Sequence, residues 1–489
     1  MIPQDHPTAP QVRPRRQRAT PVSRPPALIV LALCIATGAG SMQQSAVLPL
    51  LSRLQSSLHT TLTGATWAFT ASLLCGAIAT PLVSRFGTMY GRRLLLLITL
   101  VLLAIGSVAG GLATSLPLFI IARVLQGVSV AALPLAIGAV RELLPPARTA
   151  SGIGVLSATM GTGVGLGFMI SGLVAHYTSG YRAVFWISAA VAVIAIVLVA
   201  VAVHDLTPPV GGKPDILGAA LLAAPLVCLL LAISQGRAWG WSSGPVLGLL
   251  AASVVLGASW VVVERRAADP LIAIGLVTHP ATIGASLISA LLSFALFSGF
   301  TLLPNFTETP TAAGYGFEAS VLQAALYLLP TSLLMLILSL VVGRFLRRFS
   351  AATVVAAGAA IATLPELWLL VRHDRPADIY IAATLLGLGI GLAFPALGTL
   401  AIEHVNPAET AVASAVNSIA RFVGGGVAGA VSGAVLSADT IKGSRLPTVH
   451  AYEVMFTIAA CCVAAAAVIA GISGLMGRTA TSRHDRAAG

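Results

Sequence analysis

An arginine followed by a glutamine interrupts one of the most apolar stretches of the chain. Arg123, Gln126 and Gly127 lie within an apolar run at 116–139, in the pattern R-x-x-Q-G. Arginine at the centre of a bilayer costs about 2.5–3.5 kcal/mol on insertion scales, so it needs a partner, water or a function. Two interpretations are open here. Arg123 is either a group that takes part in transfer, or an arginine near a helix end whose side chain extends to the interface.

Carboxylates inside apolar runs are the next candidates, because proton transfer within a membrane normally uses Asp, Glu or His. Nearly all of the 16 acidic residues fall in predicted loops or at helix ends. Glu366, in the sequence L-P-E-L-W, is the best candidate for a carboxyl that binds and releases a proton. The alternative is an acid near the outer interface that pairs with Arg372 or Arg375.

Polar side chains in other apolar runs are candidates for lining a substrate cavity. A buried amide without a partner costs several kcal/mol, so each one must face either a cavity or a neighbouring helix. Hydrogen bonding between helices is the alternative for the whole set. Its members are Gln43, Gln44, Trp67, Thr70, Asn417 and Arg421.

The composition indicates that lipid is the solvent for this chain. Of its 489 residues 57% are hydrophobic and 9% are charged, whereas soluble domains carry about 25% charged residues. The net charge of +12 is scattered between apolar runs and forms no basic stripe, which argues against a nucleic-acid partner. The five cysteines lack metal-ligand spacing, and no phosphate loop or paired catalytic carboxylates occur. We therefore predict no cofactor, no metal site and no enzyme activity.

Fourteen apolar runs are each about 20 residues or longer, the length that crosses a ~30 Å hydrocarbon core. They predict an all-α membrane protein with fourteen transmembrane helices. Residues 1–25, rich in proline and arginine, are predicted to form a disordered tail rather than a signal peptide. The runs lie near 26–48, 62–83, 93–113, 116–139, 150–175, 181–203, 215–235, 244–263, 281–304, 318–342, 350–371, 378–402, 411–436 and 453–476.

The positions of lysine and arginine predict the orientation. Most of the 28 Lys and Arg residues fall on one side of the predicted helices, together with both termini. Because basic loops stay on the cytoplasmic side, we predict a plasma-membrane protein with both termini in the cytoplasm. A segment at 343–350, G-R-F-L-R-R-F-S, repeats in weakened form the basic segment at 80–93, which indicates two related halves.

The basic segment at 80–93 is predicted to be a cytoplasmic loop. It resembles the signature G-x-x-x-D-x-x-G-R-R of the major facilitator superfamily, and Gly91, Arg92 and Arg93 match that signature. Two positions depart from it: Ser84 stands where the first glycine belongs, and Thr88 where the aspartate belongs. In relatives that aspartate is associated with latching one conformation, so the resemblance implies a gating loop without its negative charge.

Two further motifs resemble the same family. The R-x-x-Q-G pattern is similar to its second signature, in which the arginine is associated with proton transfer. The run at 150–175 resembles the antiporter motif of drug exporters, with Phe168 in place of the motif's proline. Glycines four residues apart in this run allow two helices to approach closely. The glycines assigned to the motif are Gly161, Gly165, Gly167 and Gly172.

The resemblance implies a fourteen-helix transporter of the drug:proton antiporter branch, which exports amphipathic organic compounds, cationic or neutral, by alternating access. It implies six-helix bundles at 26–203 and 281–476, a linker at 204–280 that contains a two-helix hairpin, and a cytoplasmic tail at 477–489. Lipid, a small-molecule substrate and protons are the expected partners of a monomeric chain. The missing acids leave alternatives open: an uncoupled facilitator or lipid-like metabolite flippase of the same fold, or a membrane sensor that binds without transport.

Overall fold

The computed structural model describes residues 25–60, 62–178, 180–204, 216–266, 274–403, 405, 410–444 and 446–487. This part of the chain is almost entirely helical and contains no β-strand. Fourteen helices have 20 residues or more: α1 Pro26–Ser45, α2 Leu62–Tyr90, α3 Arg92–Leu112, α4 Leu116–Leu143, α5 Pro146–Tyr177, α6 Arg182–Ala202, α7 Ile216–Trp239, α8 Gly244–Glu264, α9 Pro280–Glu308, α10 Val321–Leu346, α11 Ala351–Val371, α12 Pro376–Leu400, α13 Thr410–Ala438 and α14 Val449–Ala487. Short helices at Leu51–Ser57 and Ile274–Thr278 lie between them.

The sequence marks several helix starts. Proline occupies the first turn of α1, α5, α9 and α12, where its missing N–H is not needed. Ser320 caps α10 by accepting from the backbone of Gln323, whose side chain accepts from the Ser320 backbone in return. Ser350 caps α11 by accepting from the backbone of Thr353. These caps fix where the helices of the second half begin.

Twelve helices of the described residues are long and apolar enough to cross a membrane. They are α1, α3 to α6, and α8 to α14. The remaining two long helices are α2, with 29 residues, and α7, whose apolar part is Ala220–Ile233. The prediction of an all-α membrane protein is confirmed, whereas fourteen crossings stay a prediction.

The segment at 80–93 differs from its prediction, because it is mostly helix rather than loop. Helix α2 continues to Tyr90, and α3 begins at Arg92, so Gly91 alone makes the turn with a φ of 104°. Only glycine adopts such a backbone angle without strain. Hydroxyls that bond one turn back support the end of α2: Thr80 donates to the Gly76 carbonyl at 2.6 Å, and Ser84 to the Thr80 carbonyl at 2.6 Å.

The ends of the chain lie partly outside the described residues. The tail predicted at 1–25 is outside them except for Pro25. The tail predicted at 477–489 is helical as far as Ala487, because α14 runs on without a break from the apolar part of the helix. The basic loop that precedes α7 also falls outside the described residues, at 205–215.

Two groups of helices form separate hydrophobic cores. One core consists mainly of residues from α1, α3, α4, α5 and α6, and the other mainly of residues from α9 to α12 and α14. In the first group α1 packs on α5 and α6, and α3 on α6. In the second group α11 packs between α12 and α14, while α9 packs on α13 and α14. We refer to these groups as the N-terminal and C-terminal bundles.

The bundles meet along a seam formed by helices from the two halves of the chain. Helix α5 packs on α10 and α12, while α2 and α4 pack on α13. Helices α7 and α8 form a hairpin, in which α7 also contacts α2 and α13. The hairpin therefore lies beside the seam rather than within either core.

Candidate transport site

Arg123 belongs to a buried hydrogen-bond network that joins three helices of the N-terminal bundle. Its Nη1 donates to the Oε1 of Gln126 at 3.0 Å and to the carbonyl of Gln43 in α1 at 3.4 Å. The side-chain amide of Gln43 also donates to the Oε1 of Gln126. The Nε2 of Gln126 in turn donates to the hydroxyl of Ser107 in α3 at 3.0 Å. Gln126 thus connects α1, α3 and α4.

The network accounts for the spacing of the R-x-x-Q-G pattern. Residues three apart on a helix lie on one face, so Arg123 and Gln126 point to the same interior. Arg123 is 0% exposed, which excludes the interpretation that its side chain extends to the interface. Gly127 lies where α4 crosses α2, because a Cβ there would be 2.5 Å from the Ser72 carbonyl and 2.9 Å from the Cβ of Cys75.

Ser107 is a member of this network that sequence reasoning missed. It is fully buried, and its hydroxyl donates to the Leu103 carbonyl at 2.7 Å while it accepts from Gln126. A serine in an apolar run bonds either to its own backbone or across helices. Ser107 does both, and only the position of α3 beside α4 distinguishes it from other serines of the chain.

A small polar cavity lies between the bundles. We call it the polar cavity; its volume is about 20 Å³, and it is enclosed by α1, α4 and α13. A space of this size holds about one water molecule. Its lining carries no formal charge. The lining residues are Thr37, Ser41, Gln44, Ser129, Val130, Leu133, Ser418 and Phe422.

A second cavity, which we call the aromatic cavity, lies on the other side of Gln44. It also measures about 20 Å³, and it is enclosed by α1, α5 and α9. The rings of Phe168 and Phe300 stack across it, one from each bundle, with 5.6 Å between their centroids. Its lining residues are Gln44, Ser45, Val164, Phe168, Phe297, Phe300 and Thr301.

Both cavities are far smaller than the ~300–1,000 Å³ pockets that hold drug-sized ligands. Neither cavity therefore holds a drug-sized ligand as it stands. Residues from both bundles line each cavity.

Gln44 is the residue common to the two cavities. It is buried, and its Nε2 has no hydrogen-bond partner in the structure. That either glutamine binds a substrate stays a prediction. The two residues have different neighbours in the structure. Gln43 belongs to the Arg123 network, and Gln44 faces the cavities.

Of the remaining cavity candidates, Trp67, Asn417 and Arg421 are not among the described residues that line either cavity. Trp67 is half-buried on α2, and the side chain of Thr70 lies outside the described part of that helix. Asn417 donates to the Ser289 hydroxyl of α9 at 2.6 Å and accepts from the Nε of Arg421 at 3.2 Å. Helix α13 presents its neighbours in sequence, Ser418 and Phe422, to the polar cavity instead.

Arg421 is a second buried arginine, in the C-terminal bundle. Its guanidinium carbon lies 5.4 Å from the centre of the Phe394 ring of α12. A cation over an aromatic face is attracted by the ring quadrupole. The amide of Asn417 and the ring of Phe394 therefore hold this charge between α9, α12 and α13, next to the polar cavity but outside its lining.

Glu366 is buried at a distance from the cavities. It lies on the face of α11 that is buried with Ala362, Pro365 and Leu369, and α11 packs on α12 and α14. Ion pairs in the described part of the chain do not include Glu366, so its predicted alternative partners Arg372 and Arg375 are not seen. Its carboxyl belongs to the interior of the C-terminal bundle, not to the seam.

The arginines after Gly91 attach α3 to its neighbours. Arg92 donates from Nη1 to the carboxylate of Glu142 at 2.6 Å and to the Gly138 carbonyl at 2.9 Å, both in the last turns of α4. Arg93 donates to the Ala200 carbonyl of α6 at 2.8 Å. The hydroxyl of Thr88 bonds back to the Arg85 carbonyl at 2.7 Å. Thr88 therefore replaces the family's aspartate without taking over its charge.

Glu142 is the acidic partner that sequence reasoning missed. The sequence groups it with the acids of predicted loops, yet it lies in the last turn of α4, and its side chain is 12% exposed. The neighbouring residue in the same turn, Arg141, donates across the seam to the hydroxyl of Thr410, the first residue of α13. The contacts of Arg92, Glu142, Arg141 and Thr410 thus connect α3, α4 and α13. They lie at the end of the seam that we predict to be cytoplasmic.

The glycines of α5 divide between two neighbours. Gly161 and Gly165 face α10, because a Cβ on them would overlap the side chains of Met335 and Ser332. Gly172 continues this face, since its Cβ would lie 3.0 Å from the Cα of Leu322. The seam between α5 and α10 is therefore close-packed through small residues over most of its length.

Gly167 has a different neighbour within its own bundle. A Cβ there would overlap the carbonyl of Met42 and the hydroxyl of Ser45 in α1. Gly163, on the same face, would bring its Cβ to 2.8 Å from the Gly38 carbonyl. One face of α5 thus fixes the N-terminal bundle, and the opposite face meets the other bundle.

Comparison with known proteins identifies the family. The family model described as "Major Facilitator Superfamily" matches residues 33–429. The chain is 28% identical over 389 residues to the tetracenomycin C resistance and export protein of Streptomyces glaucescens, covering 78% of this chain and 71% of that protein. It is 29% identical over 431 residues to a puromycin resistance protein of Streptomyces alboniger, covering 83% of each. The chain belongs to the major facilitator superfamily of membrane transporters.

The fold is also that of solved transporters. The crystal structure of the human organic anion transporter MFSD10 matches with a TM-score of 0.63 at 15% sequence identity, covering 91% of this chain and all of that one. At this identity the similarity concerns the fold alone. It agrees with two helical bundles that meet along a seam.

Proposed function

We propose that this transporter exports amphipathic drugs or small organic metabolites by alternating access. The observation that carries the proposal is the pair of closed cavities between the bundles, polar on one side of Gln44 and aromatic on the other. Such a lining suits a molecule with an apolar body and a few polar groups. Relatives whose names state export of tetracenomycin C and resistance to puromycin support the same direction of transport.

The proposed movement separates the bundles along the seam. Helices α5 and α10 run past each other with small residues between them, so they can tilt without breaking a large set of side-chain interlocks. At one end, the Arg141–Thr410 bond must break for the seam to open there. The bundles at 26–203 and 281–476 then act as the moving units, while the hairpin of α7 and α8 stays beside them.

Proton coupling is part of the proposal, with Arg123 and Glu366 as the candidate residues. Arg123 donates to the backbone carbonyl of Gln43 and shares the Oε1 of Gln126 with the Gln43 side chain; Gln43 directly precedes Gln44 in the chain. A change in this network therefore reaches a cavity-lining residue through one peptide bond. Glu366 is a buried carboxyl within α11, where protonation would alter packing on α12 and α14.

An uncoupled facilitator or lipid-like metabolite flippase is the second candidate. It is favoured by the absence of carboxylates from the lining of both cavities, because a coupled exporter usually exchanges protons at or near its substrate site. The same bundles and seam would serve it without change.

A proteoliposome experiment tests export and separates the two candidates. Purified protein is reconstituted with tetracenomycin C inside the vesicles, and its movement is followed with and without an imposed pH step. Coupled export predicts movement against a tetracenomycin C gradient only when the pH step is present. Equilibration that ignores the step would support the uncoupled candidate, and no movement in either condition would refute transport of this class of compound. The matched control is the Arg123→Ala variant in the same lipid.

The membrane arrangement completes the proposal. A monomer lies in the plasma membrane with both termini in the cytoplasm and a small molecule and protons as its transported partners. The basic residues around the Arg92–Glu142 pair and at 343–350 support this orientation, because positive segments remain on the cytoplasmic side.

A further inference from the structure

We propose that the cavities select uncharged aromatic compounds that carry both a carbonyl-type acceptor and a hydroxyl donor, and that they discriminate against cations. This inference rests on the proposed transport function and names its substrate class. It follows from the donors and acceptors that the two cavities present, and it narrows the wider class of amphipathic compounds.

Gln44 supplies the donor. Its Nε2 is buried without a partner at the boundary between the polar and aromatic cavities. An unpaired buried amide costs free energy that a bound acceptor recovers. A carbonyl oxygen of the cargo placed here would remove that cost, so Gln44 is built to receive an acceptor.

The serines of the polar cavity supply acceptors. Ser41 donates its proton to the Thr37 carbonyl at 3.2 Å, Ser129 to the Gln126 carbonyl at 2.7 Å, and Ser418 to the Ser414 carbonyl at 2.8 Å. A hydroxyl has one proton and two lone pairs. Because these protons are already engaged, the oxygens that line the cavity offer lone pairs, which match a hydroxyl or N–H on the cargo.

The aromatic cavity supplies the surface for a ring. Phe168 comes from the N-terminal bundle, and Phe297 and Phe300 come from α9 of the C-terminal bundle. Aromatic pairs prefer offset stacking with centroids about 4.5–7 Å apart, and the present pair is stacked at 5.6 Å. When the bundles separate, a planar ring of the cargo can enter between Phe168 and Phe300 and stack on both of them.

Charge excludes a cationic cargo. Among the residues that the structure describes, none that lines either cavity is acidic. Away from their ends, the lining helices α1, α4, α5, α9 and α13 contain two charged residues, Arg123 and Arg421, and both are positive. A cation placed between them would lose its hydration and meet like charges. A neutral cargo meets neither penalty.

Three probes of different chemistry test the selection. The first is 7-hydroxycoumarin at mildly acidic pH, where its phenol is protonated; the second is 7-methoxycoumarin, which lacks the hydroxyl donor; the third is the cation tetraphenylphosphonium. Binding to the purified full chain in detergent is measured by equilibrium dialysis. We expect 7-hydroxycoumarin to bind about tenfold more tightly than 7-methoxycoumarin and the cation to bind least. Equal binding of the three would overturn the inference.

Variants assign the selection to the cavity. Gln44→Met removes the donor at similar volume and should weaken both coumarins about tenfold. Gln44→Glu introduces a carboxyl that a bound cation can hold in its ionised form, and it should raise the affinity for the cation relative to both coumarins. Ser41→Ala with Ser418→Ala should erase the difference between the hydroxyl and methoxy compounds. Gln55→Glu, on the exposed short helix Leu51–Ser57, is the matched control and should leave all three affinities unchanged.

Transport measurements keep this inference distinct from the proposed function. The three probes are also followed in proteoliposomes. Transport of the cation as fast as the hydroxycoumarin, or an unchanged preference in Gln44→Glu, would refute the selection while leaving export intact. Selective binding of the hydroxycoumarin without movement of any probe would support the site and refute transport.

Discussion

The guanidinium of Arg92 and the carboxylate of Glu142 form an ion pair of 2.6 Å between α3 and the last turn of α4. Both side chains are largely buried, with exposed fractions of 14% and 12%. The family signature places an aspartate in the preceding segment, where this chain has Thr88. A carboxylate thus meets the signature arginine from another helix, beside the Arg141–Thr410 contact across the seam.

Breaking this pair should loosen the adjacent end of the seam. We expect Arg92→Gln and Glu142→Gln each to slow export about fivefold, and the double variant to be no slower than either, which corresponds to a coupling free energy of about 1 kcal/mol. The measurement is a double-mutant cycle on initial export rates at fixed protein content. Arg265→Gln, at an exposed position after α8, is the control. Additive losses would show that the two residues act independently.

The same pair makes a prediction about conformation. Ser151 of α5 packs against Gly343 of α10, so a cysteine there should react slowly with a maleimide in the closed state. In a background without the five native cysteines, Glu142→Gln should speed the labelling of Ser151→Cys. Unchanged labelling would mean that the pair stabilises α3 and α4 without affecting the seam.

The Arg123 network should depend on geometry as well as charge. Arg123→Ala leaves Gln126 and Gln43 without their shared donor, and Arg123→Lys keeps the charge but loses the planar guanidinium whose Nη1 reaches both acceptors. We expect Arg123→Ala to reduce gradient-driven export at least about tenfold, since a buried polar group left unpaired costs about 1–3 kcal/mol. Arg123→Lys should recover only part of it. Expression and gel-filtration profiles provide the control, and normal export by Arg123→Ala would remove this residue from the mechanism.

The two faces of α5 should respond differently to one added methyl group. In Gly167→Ala the new Cβ overlaps a backbone carbonyl, that of Met42, which cannot rotate away; overpacking of this kind costs about 1–3 kcal/mol. In Gly165→Ala the obstacle is the side chain of Ser332, which can rotate. We expect a clear fall in thermal stability in detergent for Gly167→Ala and a small one for Gly165→Ala.

A third glycine serves as the control for this pair. A Cβ added at Gly284 of α9 would have no neighbour within 4 Å. Alanine is favoured over glycine in a helix by about 1 kcal/mol, so Gly284→Ala should leave stability unchanged or raise it. Equal losses for the variants at 165 and 167 would contradict the distinction between the two faces.

The sequence was sufficient to predict an all-α membrane protein, because the length of an apolar run can be read from the local composition alone. It predicted the apolar runs and the glycine-rich face of α5, both of which follow from residue types at helical spacing, but it left open whether Arg123 is buried. It did not find Glu142, because an acid beside an arginine at a helix end looks like any solvated pair. The partner Arg92 is 50 residues away in the chain, and only the packing of α3 on α4 brings the two together.

Serines and glutamines were ambiguous for a related reason. Gln43 and Gln44 are neighbours of the same type, yet one completes the Arg123 network and the other faces the cavities. Successive residues on a helix point about 100° apart, so the difference is decided by the rotation of α1 against α4 and α13. The sequence does not determine that rotation. A hydroxyl or amide in a spanning helix can form its hydrogen bond with the backbone of its own helix, so its presence does not show which face points inward.

Glu366 provides a test of the proton route. Glutamine has nearly the same shape as a protonated glutamate but cannot release a proton. If protons pass through this carboxyl, Glu366→Gln should give export that no longer varies with pH, whereas the unmodified chain slows as the proton supply falls. The measurement is the export rate across a series of external pH values, with Glu453→Gln, a partly exposed acid of α14, as the control. A profile that overlays that of the unmodified chain would place the route elsewhere, with Arg123 as the remaining candidate.

The membrane arrangement can be tested with single cysteines placed at opposite ends of the helices. In the background without native cysteines, Gln55→Cys on the short helix after α1 should react with a membrane-impermeant maleimide in intact cells, because that segment lies on the predicted outer side. Ser350→Cys, at the start of α11 beside three arginines, should react only after the cells are opened, because basic segments remain in the cytoplasm. Labels at either terminus should behave like Ser350→Cys. Two termini on the same side of the membrane imply an even number of crossings. Reaction of a terminal label in intact cells would contradict the orientation, and with it the assignment of the Arg92–Glu142 pair to the cytoplasmic end of the seam.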